Sequence, residues 1–170
     1  THEVNRGKGA GLKTAFSYLI NSRPDIEGAV TADGDGQHLL KDIIACAEAS
    51  ANNIDALVLG CRDFDMPHVP PRSKKGNKIT ASIFKTLCGV KISDTQTGLR
   101  AIGKEHFSKL IEIRGERYEY ESNMLLALHS DGIPFVEVKI ETVYEDNNSC
   151  SHFRPVQDSV RIYKLIIAHI

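Results

Sequence analysis

Residues 26–38, Ile-Glu-Gly-Ala-Val-Thr-Ala-Asp-Gly-Asp-Gly-Gln-His, decide how this chain is read. The run from Ile26 to Thr31 is short, apolar and β-branched, which suits a buried strand. It ends on Asp33 and Asp35, one residue apart and flanked by Gly34 and Gly36. A helix follows over 39–51, with Ile43, Ile44 and Ala47 expected on one face. A second apolar run, Asp55 to Cys61, then reads as another buried strand. Strand, helix and strand of these lengths make a βαβ unit, so the two strands should be parallel. In such sheets ligands bind beyond the carboxyl ends of the strands, which is where the two aspartates stand.

The same alternation continues outward. Leu12, Ala15, Phe16, Leu19 and Ile20 recur at helical spacing over residues 10–21, and Arg23-Pro24 stops that helix. Three of the six prolines fall in 63–72, which reads as a loop. Helices are expected over 73–87, 104–111 and 120–130, with a short strand at 99–102. Residues 135–143 alternate Val136, Val138 and Ile140 with Glu137, Lys139 and Glu141, the pattern of a half-exposed strand. Residues 145–157 read as loop, and Asp158 caps a last helix. The expectation is one α/β domain over 1–170.

Composition excludes several classes. The 170 residues are 41% apolar and 25% charged with a net charge of −1, a globular balance. A near-neutral chain lacks the basic footprint of a nucleic-acid binder. No apolar stretch approaches the ~18 residues that span a bilayer. Cys46, Cys61, Cys88 and Cys150 are widely spread with no CxxC pair, so free thiols are expected rather than a zinc site or disulfide framework.

Charge is unevenly placed. Residues 62–104 carry nine Lys or Arg against three Asp, a local excess of +6. Such a block suits an anionic small ligand or a membrane phosphate layer, and equally a solvated helix face.

Three constellations carry chemistry. Asp33 and Asp35 can both turn toward one hard cation such as Mg²⁺ or Mn²⁺ and leave room for phosphate oxygens. The bland alternative is a turn in which Asp33 caps the next helix. A calcium EF-hand loop is excluded, because His38 stands where that loop needs Gly and Ile44 where it needs Glu. In Asp94-Thr-Gln-Thr-Gly-Leu-Arg100, Asp94 can orient an Arg or act as a general base, or simply close an Asx-turn. Arg62 follows its strand directly, on the same sheet edge as Asp33 and Asp35, and with Arg72 it could grip a phosphate. His152 and Arg154 lie in a late loop that could close over a ligand. Asn5-Arg-Gly-Lys-Gly9 looks like a phosphate-cradling loop without the spacing of a P-loop.

Taken together, Asn5-x-Gly-Lys-Gly, Ala32-Asp-Gly-Asp-Gly-Gln-His38, Gly60-Cys-Arg62, Pro71-Arg-Ser73 with Asn77, and Asp94-Thr-Gln-Thr-Gly-Leu-Arg100 resemble family 2 glycosyltransferases. The likeness is to the branch of dolichyl-phosphate mannose synthases and bactoprenol-phosphate glucosyltransferases. It implies a Rossmann-like GT-A domain with a mostly parallel sheet flanked by helices. It also implies inverting transfer of a hexose from a UDP- or GDP-linked nucleotide sugar to a polyprenyl phosphate. On this resemblance Asp33 and Asp35 are a DxD pair holding Mg²⁺ or Mn²⁺. Asp94, Arg62 and Arg72 are catalytic, and Lys8, Gln37, Gln96, Arg100 and His152 bind substrate.

The family's first strand, helix and second strand, which serve the nucleobase and ribose, would precede Thr1, so the domain is expected to be partial. The late loop reads Ser151-His152-Phe153-Arg154 where mannose synthases carry Ser-Lys after an Arg. The amphipathic run Ile162–Ala168 suits a core helix or a membrane-surface helix. The resemblance places the complete protein in the cytoplasm at the inner face of a membrane, possible homo-oligomers included. Two alternatives stand beside it: a hydroxyl-acceptor polysaccharide glycosyltransferase of the same fold, and a catalytically incomplete fragment that binds metal or phosphate.

Overall fold

The structure, a computed structural model, describes residues 2–66, 69 and 71–141, and only the backbone of 71–73. In chain order the elements are α1 (Lys8–Ser22), β1 (Gly28–Thr31), α2 (Leu40–Asn52), β2 (Leu57–Arg62), α3 (Pro71–Cys88), β3 (Arg100–Gly103), α4 (Phe107–Glu112), α5 (Glu119–Ser130) and β4 (Phe135–Ile140). The helix expected over 104–111 is divided. A 3₁₀ turn at Lys104–His106 precedes α4.

The four strands form one mixed sheet in the order β1-β3-β2-β4. β1 and β2 run in the same direction, as the βαβ reading requires, but they are not neighbours. β3 lies between them, antiparallel to both, with Thr31 opposite Arg100 and Leu59 also opposite Arg100. β4 pairs in parallel with β2, from Leu57 against Phe135 to Arg62 against Ile140. A helical crossover fixes only the direction of the strands it joins, not their adjacency. The central place goes to β3, all four of whose residues are buried. By contrast β1, expected to be buried, is half-exposed along its length, because β3 is its one strand partner among the described residues.

Side chains alternate across the sheet and fill two layers. On one face Leu57, Leu59, Cys61 and Ile102 join Phe16 of α1, Phe84 of α3, Phe107 and Leu110 of α4, and Tyr120, Leu125 and Leu128 of α5. The Phe16 and Phe107 rings lie 5.2 Å apart, centroid to centroid. On the other face Val58, Ala101 and Ile140 pack with Leu99 and with Cys46 of α2. Val136 and Val138 face this second layer, as their alternation with charged residues predicts.

Two helix faces differ from expectation. In α1, Phe16 is buried with Leu12 and Leu19 beside it, while Ala15 and Ile20 face solvent. In α2 the inward stripe is Asp42, Cys46 and Ser50, four residues apart, flanked by Ile43 and Ala49. Ile44 and Ala47 point outward. A polar residue leads that stripe because the Asp42 carboxylate accepts the Glu141 backbone N–H at 3.1 Å. Buried polar groups are tolerated when partnered in this way.

Of the four cysteines, Cys46, Cys61 and Cys88 are described, and all three are free thiols. The late loop with Cys150, His152 and Arg154, the last helix and the end of the expected 135–143 strand lie outside the described residues.

Candidate functional site

The sheet topology brings three chain segments to one edge. β1 and β2 both end there, and antiparallel β3 begins there, opposite Thr31. The 33–38 loop, Arg62 and the 94–98 loop are therefore neighbours, although far apart in sequence.

Asp94 is the most constrained residue of the group. It is completely buried, yet it is a carboxylate. Its Oδ2 accepts Arg62 Nε at 2.7 Å, its Oδ1 accepts Arg62 Nη2 at 3.0 Å, and Arg62 also donates its backbone N–H to Oδ2. The Gln96 backbone N–H adds a further bond to Oδ1 at 3.0 Å. A buried charge requires this degree of pairing. The Arg62 guanidinium also lies 4.9 Å over the Phe64 ring, a cation–π contact. Arg62 thus presents a fixed positive charge at the strand end. Gln96 itself is exposed beside it.

The 93–97 loop is held from below. Asn77 of α3 is buried, donates to the Ser93 carbonyl at 2.6 Å and accepts the Thr95 N–H at 3.2 Å. Thr97 Oγ1 donates to the Gly60 carbonyl at 2.6 Å. Glu137 of β4 accepts both the Ser93 N–H and its hydroxyl.

Asp33 sits against Gly98. A side chain on Gly98 would collide with the Asp33 carboxylate, so the glycine makes the cradle in which this carboxylate lies. Lys8 Nζ stands 2.5 Å from Asp33 Oδ1 and 2.8 Å from Glu121 Oε2. His38 Nε2 is farther off, 3.7 Å from Oδ2. The nearby His38 ring and the charge and hydrogen bond of Lys8 outweigh burial and hold the Asp33 carboxyl well below the usual carboxylate range. Burial opposes the Lys8 charge, but Glu121 and Asp33 more than compensate and raise its pKa above the ordinary lysine value. Asp35 is exposed and accepts the Gln37 backbone N–H at 3.1 Å.

The donor set fits a divalent cation completed by ligand oxygens. Asp33 already holds one cation, the Lys8 ammonium, and Asp35 is open to solvent. Among the described residues no group of three or more His, Cys, Asp or Glu could hold a metal alone. The two carboxylates would therefore need phosphate or water to complete a shell.

Other expected site residues fall elsewhere. Arg100, expected to bind substrate, is only 3% exposed. It donates to the Thr97 carbonyl at 3.0 Å and the Glu121 carbonyl at 2.8 Å, so it braces the loop against α5 rather than reaching into solvent. The Asn5–Gly9 segment is not a free phosphate cradle. Gly7, at φ 100°, and Gly9 let α1 press against residues 116–120, and the Ala10 N–H is given to the Glu116 carbonyl at 2.9 Å.

The +6 block is dispersed as well. Arg62 pairs with Asp94, Lys74 with Asp65 and Lys104 with Glu27, while Lys75, Lys78, Lys85 and Lys91 are exposed. Arg72 lies in the first turn of α3, with its side chain outside the described part, and His152 is outside it altogether. Sequence reasoning passed over Glu121, which looks like any acid on an amphipathic helix. Only its contact with Lys8 distinguishes it.

No protein-family model matches the chain. It is 28% identical over 173 residues to an uncharacterized protein of Methanocaldococcus jannaschii, covering 99% of this chain and 70% of that one. It is 33% identical over 149 residues to the UDP-N-acetylglucosamine–dolichyl-phosphate N-acetylglucosaminyltransferase of Methanococcus voltae, covering 85% of this chain and 59% of that one. In structure it matches glucosyl-3-phosphoglycerate synthase from Mycobacterium tuberculosis, solved with Mn²⁺ and UDP-glucose. The TM-score is 0.60 at 15% identity, over 99% of this chain and 54% of the other. The chain thus spans little more than half the length of these two transferases. In sequence it is similar to a glycosyltransferase, and in fold it has the GT-A architecture of another.

Proposed function

We propose that the protein containing this chain is a metal-dependent, inverting glycosyltransferase that moves a sugar from a nucleotide sugar to a polyprenyl phosphate at a membrane surface. The sugar expected from the sequence is a hexose. The name of the Methanococcus voltae relative adds UDP-N-acetylglucosamine as the donor to try first and dolichyl phosphate as the acceptor.

One observation carries the choice of acceptor: both oxygens of buried Asp94 are committed to Arg62. A sugar hydroxyl needs a base to take its proton. A phosphate monoester, with a second pKa of about 6, is already largely a dianion at pH 7 and needs positioning instead. Asp94 is therefore a positioning residue, and the Arg62 guanidinium that it fixes meets phosphate charge. Asp33 and Asp35 would hold a divalent cation at the donor's diphosphate, with Lys8 in contact with Asp33 and Gln37 bonded to Asp35. Arg72 and His152 are assigned to the phosphates by the sequence resemblance. A bound Mg²⁺ or Mn²⁺ supplies Lewis-acid stabilisation of the departing diphosphate.

No described helix is long and apolar enough to cross a membrane. On the sequence resemblance, access to a lipid acceptor is at the surface of the cytoplasmic leaflet.

The test is transfer of labelled sugar from UDP- and GDP-linked donors by the complete protein, with Asp35→Asn as control. Metal-dependent product on polyprenyl phosphate, lost in Asp35→Asn, supports the reading. Product on an oligosaccharide but not on lipid phosphate selects the polysaccharide alternative, and activity retained in Asp35→Asn removes the DxD role.

A further inference from the structure

The Lys8 ammonium lies between two carboxylates that come from different parts of the fold. Asp33 belongs to the loop after β1, and Glu121 to the first turn of α5. The three side chains are largely enclosed, at 23%, 34% and 13% exposure for Lys8, Asp33 and Glu121. Two of them are rigidly mounted. Lys8 opens α1, whose start is locked to the segment entering α5 by the Ala10–Glu116 bond and to α5 by the close approach of Gly9 to Tyr120. Glu121 is fixed by its helix, and its backbone carbonyl accepts Arg100 Nη1 at 2.8 Å. Asp33 is different: it leads into Gly34, Asp35 and Gly36, all exposed.

A divalent cation bonded to Asp33 Oδ1 would therefore meet an ammonium already in contact with that oxygen. The two cations would repel each other at such range, most strongly where water is scarce, so the ammonium weakens metal binding. Lys8 has somewhere to go. Glu121 is within hydrogen-bond distance, so Lys8 can release Asp33 without being left as an unpaired, enclosed charge.

We propose that Lys8 is a tethered counter-cation that neutralises Asp33 in the absence of metal, and that Glu121 is the berth that retains it when a divalent cation takes Asp33. This inference rests on the Asp33–Asp35 metal reading above. It assigns Glu121 a positioning role, exerted through Lys8 on metal affinity.

The two variants have opposite expected signs. Lys8→Met removes the competitor, so Mn²⁺ binds tighter by roughly tenfold. Glu121→Gln leaves Asp33 as the sole carboxylate for Lys8, so Mn²⁺ binds several-fold weaker. Lys8→Arg keeps the charge and stays near the wild-type value. Free and bound Mn²⁺ are measured by electron paramagnetic resonance, with and without UDP, and thermal unfolding confirms that each variant is folded.

A purely structural role would move both variants in the same direction, and that result, or no change in Lys8→Met, overturns the proposal while leaving the metal site intact. Absence of Mn²⁺ binding to wild type and Lys8→Met alike, even with UDP, overturns the metal reading and this proposal together. A measurement on the wild type guards against variants that fail to fold. The Lys8 ¹⁵Nζ resonance must shift during titration with Mg²⁺, and a resonance that stays in place while Mg²⁺ binds overturns the proposal.

Discussion

Asp94 receives the Arg62 guanidinium through two parallel bonds, Nε to Oδ2 at 2.7 Å and Nη2 to Oδ1 at 3.0 Å. The carboxylate is fully buried, and the guanidinium side chain is 18% exposed. The pair joins the end of β2 to the loop that enters β3, and it aims one fixed cation along the sheet edge. Removing one partner strands the other. Asp94→Ala should lower stability by about 3–5 kcal/mol, the usual cost of breaking a buried ion pair. Denaturant unfolding measures it. Replacing both partners with apolar residues of matching volume should cost less than Asp94→Ala alone.

Gly98 should not tolerate a side chain. A methyl group there overlaps the Asp33 carboxylate, which must move off its cradle. Gly98→Ala is expected to reduce transfer by roughly 100-fold, as displacement of a reactive group by about an ångström does. The far-ultraviolet circular dichroism should be unchanged. Wild-type transfer by a folded Gly98→Ala variant would show that the position of Asp33 is immaterial.

Asn77 ties α3 to the 93–97 loop through one donated and one accepted bond. Asn77→Ala leaves the Ser93 carbonyl and Thr95 N–H without these bonds, at a cost of about 1–3 kcal/mol. Amide exchange should speed up at Thr95 and Gln96 and remain slow in β2.

The Asp33 pair makes stability pH-dependent in one direction. The folded pKa of Asp33 lies below its ordinary value of 3.8. Its contribution is therefore fully present above that ordinary value and is lost as pH falls through the folded pKa. The gap in melting temperature between wild type and Asp33→Asn should stay constant between about pH 5 and about pH 8 and narrow below about pH 4. A gap that widens in acid contradicts the pairing.

Cysteine reactivity follows burial. Desolvation pushes Cys61 up to about 12 and Cys46 up to about 11, while Cys88 is half-buried and less strongly raised. Since the thiolate is the nucleophile, Cys88 should alkylate first of the three at pH 8 or thereabouts. Mass mapping after limited iodoacetamide treatment checks the order.

Much was legible in the sequence because it depended on local chemistry. The apolar run before Asp33-Gly-Asp-Gly, the alternation over 135–140 and the Arg23-Pro24 stop each reflect contacts or backbone limits within a few residues. They suffice for an α/β chain with acids at a strand end. Which strand lies in the middle depended on more than local pattern. β3 is four residues long, and only burial on both faces by α2 on one side and by α1, α4 and α5 on the other places it between β1 and β2. The roles of the charged residues were likewise decided in three dimensions. Sequence grouped Arg62, Arg100 and the lysines into one basic block, but burial makes Arg100 a brace and Arg62 the partner of Asp94. Glu121 has no local signature, since an acid on a helix acquires meaning only from the ammonium that packing sets 2.8 Å away. Electrostatic partnership acts through space, and the fold alone determines which charges share it.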